Sequence, residues 1–194
     1  MPARRGAGRR REASEISFSA SCFGCIVDSE VSIPLRFPSL AFFEALQREM
    51  RAERERFARL GFFDTTFGIR VLPEGPGAAA EFVLGFEVFD CVRVAEGLAG
   101  VETDFVAEGS FSAWREMLDN IHALGAADAA HSFNTLTHFG ERLSVRYDDP
   151  DRHDKVYRFA ESIQEFLDLS ARFDFDYPDG SRPPARRQLR RTAT

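Results

Sequence analysis

The strongest constraint in this chain is a two-residue rhythm that appears on both sides of one turn. Phe67, Ile69 and Val71 alternate with Thr66, Gly68 and Arg70, the signature of a strand with a single buried face. Pro73-Glu74-Gly75-Pro76-Gly77 follows, and no regular element crosses it, because proline fixes φ and has no N–H to donate. Beyond the turn, Phe82, Leu84, Phe86 and Val88 resume the alternation. Two such runs joined by a turn predict a hairpin and place antiparallel sheet at the centre of the fold. The phase slips at Phe89 and Cys91 before Val92 and Val94, which predicts a bulge or a strand buried on both faces.

Elsewhere the rhythm changes to three and four. Leu40, Phe43, Leu46, Met50, Phe57 and Leu60 follow an N-cap at Ser39 and end near Gly61, predicting one amphipathic helix whose charged middle, Gln47 to Arg56, faces solvent. Residues 104–109 read as a short strand. Ser110 or Ser112 then caps a helix carrying Trp114, Met117, Leu118 and Ile121, which Gly125 stops. The stretch from Ala126 to Phe139 is ambiguous, with Phe133, Leu136 and Phe139 at helical spacing. Leu143, Val145 and Tyr147 predict a last strand, and Val156, Phe159, Ile163, Phe166, Leu167 and Phe173 a final helix. Val31, Ile33, Leu35 and Phe37 form an extended segment interrupted by Pro34, an edge strand or docked arm. The order predicts a single α+β domain, a mostly antiparallel sheet covered on one face by helices.

Domain limits follow from the charge runs: an Arg-rich disordered tail over 1–25, a folded body over 26–177 and a second Arg-rich tail over 178–194. The tails hold five arginines each near the two ends, so the remainder of a chain of net charge −6 carries about −16. An acidic body repels phosphates, which argues against specific nucleic-acid binding and leaves the tails at most weak contacts with anionic surfaces. No run approaches the roughly 20 apolar residues of a membrane helix, and the basic start lacks the apolar stretch of a secretory signal, so a soluble cytoplasmic protein is expected. Lys155 is the only lysine among 25 basic residues, the codon bias of a GC-rich, bacterial genome.

Twenty residues are Phe against three Tyr and one Trp. Phe has a large apolar face and no polar handle, and burying one contributes roughly 1.5 to 3 kcal/mol. Two readings stand: a ring-rich core, or a core hollowed into an apolar ligand cavity.

Signals for chemistry are few. Cys22 and Cys25 have dithiol spacing, but no second pair completes a zinc site and strand-like alternation follows them, so an incidental reduced pair is expected. His122, His131, His138 and His153 are scattered; His131 and His138, seven apart, would share a face with Asp128 only on a continuous helix. Asp104 and Glu108 flank Phe105 and are the best acid/base candidates, although alternation turns both away from the Phe105 face and toward solvent. Asn134 beside Phe133 is expected to be buried and satisfied by backbone, or to orient a ligand hydroxyl. No cofactor motif or metal site is expected.

Several phrases resemble the sterol-carrier-protein (SCP2) family of small lipid-transfer domains. They are Phe42-Phe43-Glu44-Ala45-Leu46, the hairpin ending Cys91-Val92-Arg93-Val94-Ala95-Glu96-Gly97, Thr103-Asp104-Phe105-Val106-Ala107-Glu108-Gly109-Ser110 leading to Trp114–Ile121, and Phe139-Gly140-Glu141-Arg142-Leu143-Ser144-Val145. The resemblance implies a five-stranded sheet with helices on one face, enclosing a tunnel for sterols, fatty acyl chains or similar lipids, without catalytic residues. Transferred by position, the tunnel lining would be Phe82, Leu84, Phe86, Phe105, Trp114, Leu118, Phe133, Phe139, Leu143, Phe159, Ile163 and Phe166. Two alternatives remain: a small enzyme using Asp104, Glu108 or His131 in that cavity, and a filled-core module presenting the Gln47–Arg56 face to a protein.

Overall fold

The hairpin forms where the two rhythms place it. In a computed structural model, which describes residues 35–138 and 142–186, β2 (Thr65–Leu72) and β3 (Ala80–Glu87) pair antiparallel with Ile69 opposite Phe82 and Phe67 opposite Leu84. The phase slip at Phe89 holds a turn at Val88–Phe89 and, just after it, the expected bulge; it is not a strand buried on both faces. β3 ends at Glu87, Val88 takes a left-handed φ of 61°, and β4 (Asp90–Glu96) returns antiparallel, with a register irregularity at Gly85/Phe86. β5 (Phe105–Ser110) joins the other edge of β2 in parallel, and β6 (Leu143–Arg146) pairs antiparallel with β5. The five strands run in the order β4-β3-β2-β5-β6, so the sheet is mixed around a central β2.

The caps act as the local chemistry dictates. Ser39 Oγ accepts from Phe42 N at 3.2 Å and starts α1 (Leu40–Ala52). Ser110 Oγ accepts from Ala113 N at 3.2 Å and starts α3 (Phe111–Leu124), which Gly125 ends in the left-handed conformation at φ 91°. The expected single helix over 40–60 breaks at Glu53 into α1 and α2 (Arg54–Leu60). Between Met50 and Phe57 a continuous stripe would need an apolar residue near 53 or 54, and both positions are charged. The final helix likewise divides at Phe159 into α5 (Pro150–Arg158) and α6 (Ala160–Asp168), while the ambiguous 126–138 stretch yields only α4 (Phe133–His138).

A small parallel pairing of β1 (Leu35–Arg36) with β7 (Phe175–Asp176) ties the start of the described chain to its later part. Residues beyond the expected boundary at 178 continue to make contacts: Arg182 reaches Asp176 at 2.7 Å, and the His122 ring meets Pro184 O at 3.1 Å. The opposite face of the sheet bears charges in register, with Arg70 between Glu81 (2.7 Å) and Glu108 (2.8 Å), and Glu108 also accepting from Arg146 (3.2 Å). Gly68 lies on that face, where a Cβ would stand 2.6 Å from Leu98 Cδ2, so glycine leaves room for that leucine to pack on the sheet.

Candidate functional site

Eleven of the twelve residues expected to line a tunnel are described, and all eleven belong to the apolar interior between helices and sheet; Phe139 lies outside the described residues. Phe82, Leu84 and Phe86 alternate inward on β3, Phe105 and Leu143 on β5 and β6, and Trp114 and Leu118 on α3. Phe133 and the Ile163–Phe166 pair come from α4 and α6. Ten are at most 1% exposed and Phe159 is half-buried.

The rings touch one another. Phe63, Phe86, Phe67 and Phe105 stack in sequence at 4.2, 5.6 and 5.0 Å, and Phe166 meets Phe86 edge-on at 5.0 Å. These offset and edge-to-face contacts suit the aromatic quadrupole and add to simple burial. Phe63 and Phe67, absent from the expected lining, are as central as those in it.

An apolar cavity of about 300 Å³ lies at the hairpin end of the sheet, lined by Pro38, Val71, Leu72, Pro73, Glu74, Ala78, Ala80, Phe111, Pro178 and Asp179. Val71 and Ala80 are register partners, and the next inward-facing pair is Ile69–Phe82, so the ring core begins one step behind the cavity. None of the twelve expected residues lines it. The sequence signals here, prolines and glycine at a turn and a proline after the last strand, mark connectors and not a binding wall. Among the described residues, two uncharged side-chain atoms are buried without a hydrogen-bond partner, Trp114 Nε1 and Ser170 Oγ.

The acid/base candidates are engaged structurally. Asp104 Oδ2 accepts from Thr65 Oγ1 (2.8 Å), Thr66 N (3.0 Å) and Lys155 Nζ (2.9 Å), beside an open polar cleft of about 550 Å³. Burial alone would raise its pKa, but these hydrogen bonds outweigh it and hold the carboxyl below the usual range. Glu108 is held low chiefly by the Arg70 hydrogen bond, against burial, which raises it, with Arg146 adding a further lowering. Both side chains turn away from the Phe105 face as expected, but they are not solvent-exposed; at 12% and 15% exposure each is covered by its cation partners.

His131 precedes α4 and does not share a helix with His138. It binds Asp128 at 2.6 Å, and that contact, with Asn120, holds Asp128 at about 2. Among the described residues no three His, Cys, Asp or Glu are placed to hold a metal. Asn134 is exposed, not buried, because it falls on the outer face of α4 between Phe133 and Leu136. Cys22 and Cys25 lie outside the described residues; Cys91 is buried, and burial pushes its thiol up to about 12. The charged stretch from Gln47 to Arg56 is partly tied down: Gln47 Nε2 donates to Cys91 O at 2.7 Å, Arg51 meets Asp90 at 3.2 Å, Arg172 binds Glu53 at 2.8 Å, and Met50 is buried.

The element order and the mixed sheet can be compared with solved structures. A crystal structure of sterol carrier protein 2 matches with a TM-score of 0.52 at 15% identity, covering 69% of this chain and 95% of that one. The chain has the sterol carrier protein 2 fold. A solution structure of a conserved hypothetical protein from Thermus thermophilus, described as a candidate sterol carrier protein, matches at 0.51 with 18% identity over 69% and 87% of the two chains. No protein-family model matches the sequence, and neither does any curated protein. No described helix is long and apolar enough to cross a membrane.

Proposed function

We propose that this protein binds or transfers an apolar small molecule, of the sterol or acyl-chain kind, without converting it. The observation that carries the reading is the 300 Å³ cavity, eight of whose ten lining residues are apolar, opening beside a ring core on the helix-covered side of a sterol-carrier fold. That volume stands at the lower end of the range of small-molecule sites. The ligand enters over Val71, Ala80 and Phe111, and a longer one extends inward by parting the rings at Phe82, Leu84, Phe86 and Phe105. Binding draws on roughly 25 cal/mol per Å² of apolar area removed from water, less the costs of association, which puts affinity in the micromolar range.

Catalysis has little support. Asp104 and Glu108 are held below the usual carboxylate range by the hydrogen bonds they accept, whereas a general acid or base needs a carboxyl poised near neutrality. A soluble, cytoplasmic setting is part of the same proposal.

The test is uptake of a fluorescent neutral lipid by delipidated protein, wild type against Ala80→Phe, which fills the cavity from the sheet. Binding should fall about tenfold or more with the far-UV spectrum unchanged. Equal binding by the variant would remove the site from this cavity, and no uptake by wild type would end the carrier reading.

A further inference from the structure

One wall of the cavity belongs neither to the sheet nor to a helix. Pro178 and Asp179 line it, and both are exposed. They sit in a loop closed on itself: Tyr177 N donates to Ser181 O at 2.8 Å, Gly180 N donates to Tyr177 O at 2.9 Å, and Asp179 Oδ1 accepts from Ser181 N at 2.9 Å. Gly180 takes a left-handed φ of 78°, which glycine adopts without strain and which lets the turn close. The loop is thus a compact unit. Behind it Tyr177 is fully buried, its hydroxyl donates to Asp119 of α3 at 2.7 Å, and β7 pairs with β1. Ahead of it the chain follows α3 to the end of that helix. The His122 ring meets Pro184 O at 3.1 Å, and a Cβ at Gly125 would lie 2.7 Å from Arg186 Nη2, which puts a cation at the carbonyl end of α3.

What holds this segment down differs from what holds the rest of the cavity. Val71, Ala80 and Phe111 are fixed by strand pairing and by α3, whereas residues 178–186 take part in no helix or strand. Pro183 is buried, Ser181 is half-buried, and the rest of the segment is exposed. Its ties include two side-chain ion pairs: Arg115 Nη1 donates to Asp179 at 3.0 Å, and Arg182 Nε to Asp176 at 2.7 Å. The side chains of Arg115 and Asp179 are 32% and 57% exposed, so their pair is screened by solvent and weakens with salt. Arg115 also meets Asp119 at 3.5 Å and covers the face of Tyr177 at 4.5 Å, so one cation joins the loop, its buried anchor and α3. Arg115 does not itself line the cavity. A loop with a buried anchor on one side and exposed ion pairs on the other can lift away while the body keeps its fold.

Resting on the binding reading, we propose that residues 178–186 are a strap that gates the cavity and that Arg115 is its latch. Latched, Pro178 and Asp179 close the wall over the ligand; released, the loop turns outward about Tyr177 and opens a route for entry and exit alike. A gate of this kind sets exchange rates and leaves affinity almost unchanged, because opening precedes both binding and release. The test is stopped-flow binding and displacement of N-phenyl-1-naphthylamine, an uncharged apolar probe that brightens away from water. Arg115→Gln should raise the association and dissociation rate constants alike, by about fivefold, the change expected for loss of an exposed ion pair, with Kd within about twofold. Arg142→Gln, which removes an ion pair with Glu116 elsewhere on α3, should leave both rates unchanged.

Unchanged rates in Arg115→Gln would show that the wall does not gate exchange. Faster dissociation alone, with a weaker Kd, would show Arg115 supporting a ligand contact and not a latch. Equal acceleration by Arg142→Gln would show a general loosening of the fold. Each of these results overturns the inference while the binding reading stands, and failure of the wild type to bind the probe overturns both. Should Arg115→Gln not fold, the wild type decides. Raising sodium chloride from about 0.05 M to about 0.5 M should then speed both steps about threefold, since the probe carries no charge, and rates independent of salt would refute the latch.

Discussion

Asp104→Asn isolates the charge on a carboxylate that joins β2, β5 and α5. Asn can still accept from Thr65 Oγ1 and Thr66 N, but it offers no charge to Lys155 at 2.9 Å. With the Lys155 side chain 32% exposed, solvent screening limits that ion pair to about 1 kcal/mol. Turning the charge-assisted bond from the buried Thr65 hydroxyl into a neutral one removes about 1 kcal/mol more. The loss is about 1 to 2 kcal/mol, a fall in Tm of about 2 to 8 °C for a chain of this size.

The pH dependence has a definite sign. The folded pKa of Asp104 is depressed, so its stabilisation is present above the unfolded value of about 3.9 and is lost as pH falls through the lower folded value. Thermal unfolding of both proteins, followed by Trp114 emission and far-UV circular dichroism, should show the full difference near pH ~7 and a shrinking one toward pH ~2. A difference that persists undiminished in acid, or none at neutral pH, would refute the assignment of Asp104 as an ionised anchor.

Phe86→Ala should cost about 3 to 5 kcal/mol in denaturant unfolding, because Phe86 touches Phe63, Phe67 and Phe166; a cost below about 1 kcal/mol would mean that the core there is hollow. Val88→Gly should raise stability by about 1 kcal/mol, since a β-branched residue at φ 61° is strained and its side chain, 45% exposed, returns little packing; a lower Tm would contradict this. Cys91 should resist iodoacetamide in the native protein near pH ~8 and react on unfolding, as peptide mapping of the labelled cysteine would show, because a thiol pushed up to about 12 holds almost no thiolate there. Rapid native labelling of Cys91 would show that its burial is not as described.

Features governed by neighbours a few residues apart were legible in the chain. The Phe67–Val71 and Phe82–Phe86 alternations, the Ser39 and Ser110 caps and the Gly125 stop all act within one turn or one strand, and each appears where the residues place it. Their order carried the α+β layering and the likeness to the sterol-carrier fold. The same local reasoning placed a bulge in the 89–94 stretch, and the β3–β4 register has one at Gly85/Phe86, but it missed the turn at Val88–Phe89, since a short turn and a bulge both shift a period-two pattern by one residue. It also joined α1 to α2 and α5 to α6, where helical spacing continues across a break.

By itself, then, the sequence determined where the strands of the main sheet and the principal helical stretches lie and which of their faces are apolar, because backbone periodicity and capping are local. Only the tertiary structure decided what those faces enclose. Pro38, the 71–80 hairpin, Phe111 and Pro178 have no shared rhythm, yet β2 pairing with β5 and the start of α3 beneath them close one cavity. Asp104 and Lys155, 51 positions apart, meet for a similar reason. Which strand becomes central and which helix covers it is settled by packing every apolar face at once, and no window of sequence contains that competition.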